Sequence, residues 1–350
     1  MVMAAFYRVV LAQLLLRFPL TTDARVVALI VFGDSSVDTG NNNQLQTVAK
    51  SNFPPYGRDF YGGKPTGRFC NGRITSDFIS QAFGLRPFVP AYLDPAYSIK
   101  DFVTGVCFAS SGTGYDNATA GFLSVLSLPK QLGNFRKYRG ELWKHMGEEP
   151  ARVILTEALY IVSLGTNDFL WTYYGLGGRS SVYSIEEYQT FLIGIAEGFV
   201  TELYRMGARK ITLGGIPPMG CLPLERTHGI LFGGGCIEHY NNVAREFNDK
   251  LQGLILKLNQ RLTGIRLVIS NPYDILLQMI RNPRSFGFKD AASACCGTGL
   301  IEMGYLCDRE SPFTCSDANR YVFWDSFHPT ERGYAIISDY IVKTYLSQFF

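Results

Sequence analysis

Long apolar runs are missing from this chain. No stretch approaches the roughly 18 uninterrupted apolar residues that mark a membrane-spanning helix, so no transmembrane span is expected. An excess of one charge is missing too: 33 Lys and Arg face 30 Asp and Glu, a formal +3 at pH 7. So close a balance gives no case for binding nucleic acid or an anionic membrane surface. Histidine is scarce, with four in the chain, which makes each one easy to weigh as a base. No Cys-x-x-Cys pair occurs, and neither a repeat of fixed period nor a low-complexity linker is visible. The last two absences favour one domain over residues 25–350.

What is present is enough to build a large core. Of 350 residues, 47% are hydrophobic, which excludes general disorder. Aromatics reach 14%, and such rings suit cores as well as carbohydrate or acyl grooves. At the amino terminus Arg8 precedes the apolar run Val9 to Leu16, and small residues end near Ala24. Residues 1–24 therefore resemble a secretory signal peptide, although Gln13 and Arg17 break or close the run and Asp23 sits beside the cleavage point. Eight cysteines, at 70, 107, 221, 236, 295, 296, 307 and 315, fit an oxidising compartment. Cys221 with Cys236 would close a glycine-rich loop, and the last four could form two bridges. Zinc competes for that last group, but the adjacent Cys295 and Cys296 make an awkward chelate. The triplet Asn117-Ala118-Thr119 is a glycan acceptor if the chain is secreted.

Short apolar runs at 26–32, 158–164, 210–216 and 265–270 are continuous rather than alternating, and read as buried strands. Between them, Ser184 and Glu187 form a capping box that opens a helix closing at Gly207. Residues 236–262 carry apolar positions at helical spacing, and 331–350 offer a final helix. Strands alternating with helices predict a parallel sheet covered on both faces. Two connections, 44–69 and 169–184, are rich in glycine and aromatics and read equally as binding loops or as packed surface loops.

Ligands of such sheets bind beyond the carboxyl ends of the strands. After the first strand comes Gly33-Asp34-Ser35-Ser36, and after the 158–164 strand comes Gly165-Thr166-Asn167-Asp168. Just before the last helix, "WDSFHPTERGY" sets Asp325 three residues ahead of His328. A serine hydroxyl needs a base to take its proton, and the base needs an acceptor to hold its tautomer. Of the four histidines, His328 has a carboxylate close by in a pre-helix turn, and Pro329 limits the freedom of that turn. Asn167 offers a side-chain amide, and "FASSGTGYD" (108–116) a glycine-rich turn, as donors to an oxyanion. Spacing alone does not separate Ser35 from Ser36. Asp38 and Asn41 to Asn43 read as scaffolding of the first turn.

The blocks "VFGDSSVDTGNNN", "CFASSGTGYD", "SLGTNDF" and "VFWDSFHPTERGY" resemble the GDSL-type esterases and lipases of the SGNH hydrolase superfamily, most closely its secreted plant branch. Phrases such as "NFPPYGRDF", "GRFCNGR" and "GGIPPMGCLP" extend the resemblance along nearly the whole chain after the leader. It implies a flavodoxin-like three-layer α/β/α sandwich with a mainly parallel sheet. It implies a nucleophile at Ser35, a base at His328 oriented by Asp325, and oxyanion donors at the Ser35 N–H, the Gly112 N–H and the Asn167 side chain. The Gly-x-Ser-x-Gly elbow of the α/β-hydrolases is absent. Cys107 departs from the family, where many relatives have asparagine, and a Cys70–Cys107 bridge is one expectation for that pair. The leading function is a secreted serine esterase or lipase needing no cofactor and no metal. The same residues would serve an acyltransferase passing the acyl group to an alcohol, and a silent extracellular binding protein is a third reading. A fatty acyl chain, a cutin-like monomer, an acetylated sugar and a phenolic ester all suit the aromatic loops as substrates, and the sequence leaves the oligomeric state open.

Overall fold

A computed structural model describes residues 26–229 and 235–350, so the leader expected over residues 1–24 lies outside the described residues. The first half of the chain forms β1 (Leu29–Gly33), α1 (Thr75–Ala82), β2 (Gly105–Cys107), α2 (Asn117–Leu123), α3 (Leu128–Met146), α4 (Glu148–Glu157) and β3 (Leu159–Ser163). Then follow α5 (Ile185–Arg205), β4 (Lys210–Gly214), α6 (Pro223–His228), α7 (Glu238–Arg261), β5 (Arg266–Ser270) and α8 (Tyr273–Arg281). The chain finishes with β6 (Asp290–Ala294), β7 (Tyr321–Phe323) and α9 (Glu331–Ile341).

Five strands form one parallel sheet in the order β2-β1-β3-β4-β5. This is the flavodoxin-like order, with its switch point between β1 and β3. Right-handed crossovers send the first connection to one face and the later ones to the other. Accordingly α1 packs with α9, and α5 packs with α7, as the outer layers of the expected α/β/α sandwich. The four apolar runs read as strands became β1, β3, β4 and β5. β1 and β4 are buried along their whole length, while β5, at the edge, is partly exposed.

The pairing has no slip, and this positions everything that follows. Gly33, Ser163, Gly214 and Ser270 are cross-strand partners in sequence, so four strands end level with one another. The segments leaving β1 and β3 therefore emerge side by side. Behind them Phe32 anchors an aromatic core, stacked on Phe108 at 5.3 Å and edge-on to Phe135 and Phe199 at 5.5 and 5.3 Å. The capping box at α5 is formed as read: Ser184 Oγ accepts from the Glu187 N–H, and Glu187 accepts from the Ser184 N–H.

The two long connections share both readings. Residues 44–69 bury Tyr56 while lending Val48, Ala49 and Phe69 to a pocket wall. Residues 169–184 bury Phe169 and stack Tyr173 on Tyr188, while Trp171 joins the same wall. Arg68, at the end of the first, forms a buried two-pronged pair with Asp77, both contacts at 2.8 Å, and also donates to the Thr39 and Val89 carbonyls.

Disulfides join Cys221 to Cys236, Cys295 to Cys315 and Cys296 to Cys307. The expected Cys70–Cys107 bridge does not form, and both residues are free, buried thiols. They belong to different apolar clusters. Cys107, at the end of β2, packs in the main core and donates to the Val37 carbonyl, whereas Cys70 packs with Ile74 and Tyr334. Burial pushes the Cys107 thiol up to about 12 and the Cys70 thiol well above its ordinary value, so neither is a ready thiolate.

Two outcomes follow. Alkylation of the native protein should leave Cys70 and Cys107 unmodified until denaturant is added, and non-reducing peptide mapping should return the three bridges above. Arg68→Met, which strands a buried carboxylate, should lower unfolding free energy by roughly 3–5 kcal/mol in urea titrations at neutral pH.

Candidate active site

β1 ends in a conformation that a side chain would not allow. Gly33 has φ +151°, and a Cβ there would lie 2.3 Å from the Ser163 carbonyl oxygen. The Gln131 side chain clamps this glycine, accepting from its N–H at 3.0 Å and donating to its carbonyl at 2.9 Å. Beyond it, the Asp38 carboxylate accepts from the N–H groups of Gly40, Asn41 and Ser111 at 2.8–2.9 Å. Asn41 donates to the carbonyls of Cys107 and Ala109, and Asn42 to those of Ala49 and Ser111. Asn43 donates to the Thr66 carbonyl. Asp38 and the three asparagines are thus scaffolding, as read: Asp38, Asn41 and Asn42 tie the Ser35 turn to residues 107–111, and Asn43 ties it to Thr66.

β7 delivers the second half of the site. After Phe323 the chain loops and returns at once, with Phe323 bridged to Pro329 and the Trp324 N–H donating to the His328 carbonyl at 2.7 Å. Inside this loop Asp325 Oδ1 accepts from the Phe327 and His328 N–H groups at 3.0 and 2.7 Å. The His328 ring lies with Nδ1 2.9 Å from Asp325 Oδ1 and Nε2 2.7 Å from Ser35 Oγ. All three residues are buried. A carboxylate at Nδ1 favours the tautomer protonated there, which leaves Nε2 to accept from the serine hydroxyl.

The two neighbouring serines are now distinguished. Ser36 Oγ is held 2.7 Å from Asp34 Oδ1 and 2.9 Å from Ser163 Oγ, whereas the hydroxyl bonded to His328 is that of Ser35. Asp34 serves Ser36 rather than the imidazole, and burial pushes its carboxyl up to about 6.

Donors meet in front of Ser35. Among the described residues the N–H groups of Ser35 and Gly112 have no protein acceptor, and the Asn167 amide gives one hydrogen, at 3.0 Å, to the Thr113 carbonyl. Gly112 has φ +85°, and a Cβ there would come within 2.7 Å of Leu123. Asp168 fixes this corner by accepting from the Tyr115 and Asp116 N–H groups and the Thr119 hydroxyl at 2.7–3.0 Å. Its burial pushes the carboxyl up to about 7. Ser35, Gly112, Asn167 and His328 line one pocket of about 260 Å³, walled by Val48, Phe69, Leu123, Trp171, Met303 and Tyr305. The arrangement suits acyl transfer: a hydroxyl beside its base, and donors where an oxyanion would form.

Two polar residues escaped the sequence reading: Gln131, which clamps Gly33, and Tyr56. Tyr56 is fully buried, donates to Asp325 Oδ2 at 2.7 Å and accepts from the Gly304 N–H at 2.9 Å. Its position in "NFPPYGRDF" gives no local sign of a partner so far along the chain. Asn117 is exposed at the start of α2. Of the other histidines, His228 faces Glu225 at 3.6 Å on the surface and His239 contacts the Tyr174 hydroxyl. Among the described residues no group of three or more His, Cys, Asp and Glu side chains could hold a metal ion. Nor, among them, is any helix long and apolar enough to cross a membrane.

The family model for GDSL-like Lipase/Acylhydrolase matches residues 29–341. The Arabidopsis thaliana protein named GDSL esterase/lipase At4g26790 is 58% identical over 338 residues, covering 97% of this chain and 96% of the relative. GDSL esterase/lipase At2g42990 of the same plant is 56% identical, with 91% of each chain covered, and At2g04570 is 54% identical, with 94% of each covered. The shared blocks, the flavodoxin-like sheet and these matches along almost the full chain make this protein a member of the GDSL-like lipase/acylhydrolase family, hydrolases acting on ester bonds.

Proposed function

We propose that this chain is a secreted serine esterase that hydrolyses carboxyl esters through an acyl-enzyme on Ser35. The observation that carries the reading is the continuous contact from Asp325 through His328 to Ser35, at 2.9 and 2.7 Å, beside three donors on one pocket wall. Ser35 Oγ attacks the ester carbonyl carbon while its proton passes to His328 Nε2. The carbonyl oxygen, now an oxyanion, takes hydrogen bonds from the Ser35 and Gly112 N–H groups and the remaining Asn167 amide hydrogen. Collapse breaks the bond to the alkoxy oxygen, which leaves as the alcohol with the His328 proton. Water then attacks the acyl-enzyme, gives a proton to His328, and the acid departs as Ser35 regains its hydrogen.

Three disulfides support a life in an oxidising compartment, and with the leader-like residues 1–24 they support secretion. We read residues 25–350 as one hydrolase domain, and exposed Asn117 as its glycan acceptor.

Ser35→Ala should lower kcat for p-nitrophenyl acetate by a factor on the order of 10⁴ to 10⁶. It should also abolish labelling by a fluorophosphonate, at an unchanged melting temperature; full activity in this variant overturns the reading. Tyr56→Phe removes one hydrogen bond to the Asp325 carboxylate, and should lower kcat about tenfold with little change in KM. A change in KM alone would assign Tyr56 to the pocket wall instead of to Asp325.

A further inference from the structure

Ser35 and His328 border a second cavity as well as the pocket already described. It holds about 100 Å³ on the other side of these two side chains, beyond the strand ends Ser163, Gly214 and Ser270. Val37, Ile79, Ile161, Leu276, Ile337 and Ile341 line it, and each is no more than 7% exposed. Of its polar lining, Ser36 Oγ bonds both Asp34 and Ser163, while the buried Tyr334 hydroxyl has no hydrogen-bond partner among the described residues. Phe327 stands between the two spaces and lines both. The outer pocket is different in kind: Val48, Tyr305 and Leu306 on its wall are 65, 53 and 61% exposed.

An ester on Ser35 has two arms to place, and the order of events in the proposed reaction decides between the two spaces. The alcohol must leave first, while the acyl arm is still bonded to Ser35 Oγ, and water must then reach the same carbonyl carbon. The arm in the solvent-walled pocket is therefore the one that departs and is replaced by water. The arm that stays attached can lie in the buried cavity without blocking either event.

We propose, resting on the esterase reading above, that the buried cavity behind Ser35 is the acyl site, that the outer pocket receives the alcohol, and that Ile337 sets the acyl length. A cavity of about 150 Å³ takes a six-carbon benzene ring, so one of about 100 Å³ suits an acyl arm on the order of four carbons. The preferred substrates are thus short-acyl esters of bulky or apolar alcohols.

A series of p-nitrophenyl esters from acetyl to dodecanoyl tests this. The native enzyme should gain about three- to fourfold in kcat/KM per methylene until the cavity is full, then decline. Ile337→Ala should move the optimum to longer chains. Ile337→Phe should move it back toward acetyl, at a native melting temperature that reports a folded variant. In acetate esters of ethanol, hexanol and naphthol, Val48→Trp should reorder the alcohols and leave the acyl profile alone. The assignment is overturned if the Ile337 variants reorder the alcohols instead, or if the acyl profile is flat in an enzyme that Ser35-directed fluorophosphonate labels. Failure to hydrolyse every ester, with no labelling, would overturn the esterase reading itself.

Discussion

The buried carboxylate of Asp38 is the constraint on which the site depends. It bonds forward to the Gly40 and Asn41 N–H groups of its own turn and across to the Ser111 N–H of the neighbouring one. The first turn carries Ser35 and the second carries Gly112, so one side chain sets the distance between the Ser35 hydroxyl and the Gly112 N–H. Burial works against this charge, pushing the carboxyl up to about 6, and three N–H bonds work in its favour. Asn41, Asn42 and Gln131 complete a buried network in which nearly every partner is a backbone group. Such a network is costly when any member is left unpaired. That makes it a rigid mount for a turn that would otherwise be a loose glycine-rich connection, and it explains the density of polar residues in "GDSSVDTGNNN".

The other half of the site is mounted by different means. The loop bearing Asp325 and His328 follows a strand of three residues and lies near the carboxyl end of the chain. Its support comes from the disulfide-bonded segment, whose Cys295 and Cys296 N–H groups donate to the Phe323 and Trp324 carbonyls at 3.0 and 2.8 Å. The Ser326 N–H donates to the Glu302 carbonyl in the same segment, and Tyr56 joins Gly304 to Asp325. Two bridges confine residues 295–315, so the backbone that holds the triad loop is itself covalently tied. The same segment supplies Met303, Gly304 and Tyr305 to the outer pocket. A displacement of this wall would therefore be felt at Asp325 through the Tyr56 hydroxyl.

β1, β3 and β4 were legible because a strand covered on both faces must be apolar at every position, and β5, at the edge, because it keeps the short apolar run Leu267-Val268-Ile269. β2 escaped because three residues, Gly105-Val106-Cys107, carry no periodic signal, and β6 because "DAASA" lacks the apolar content of a central strand. The contact of Asp325, His328 and Ser35 could be anticipated because Asp325 and His328 are near in sequence and Ser35 closely follows the first apolar run. The choice of Ser35 over Ser36 came from family resemblance, since adjacency hides orientation. Tyr56 and the separate surroundings of Cys70 and Cys107 were invisible for one reason. Each is set by contacts between segments far apart in the chain, which composition and spacing do not encode.

The pair Ser35-Ser36 shows how the level strand ends convert into selectivity. Gly33 is the cross-strand partner of Ser163, and the backbone turns sharply after it. That turn brings Ser36 Oγ back over Ser163 Oγ while Ser35 Oγ projects to His328. Ser36 and Asp34 close a local network that fixes the turn, so the hydroxyl left for the imidazole is the one held by backbone geometry. A side chain at Gly33 would collide with the Ser163 carbonyl and lift the turn off the sheet. Both serines would then lose their places together. The two serines are therefore not alternatives: the bonding of Ser36 to Ser163 keeps the Ser35 hydroxyl in line with the His328 imidazole.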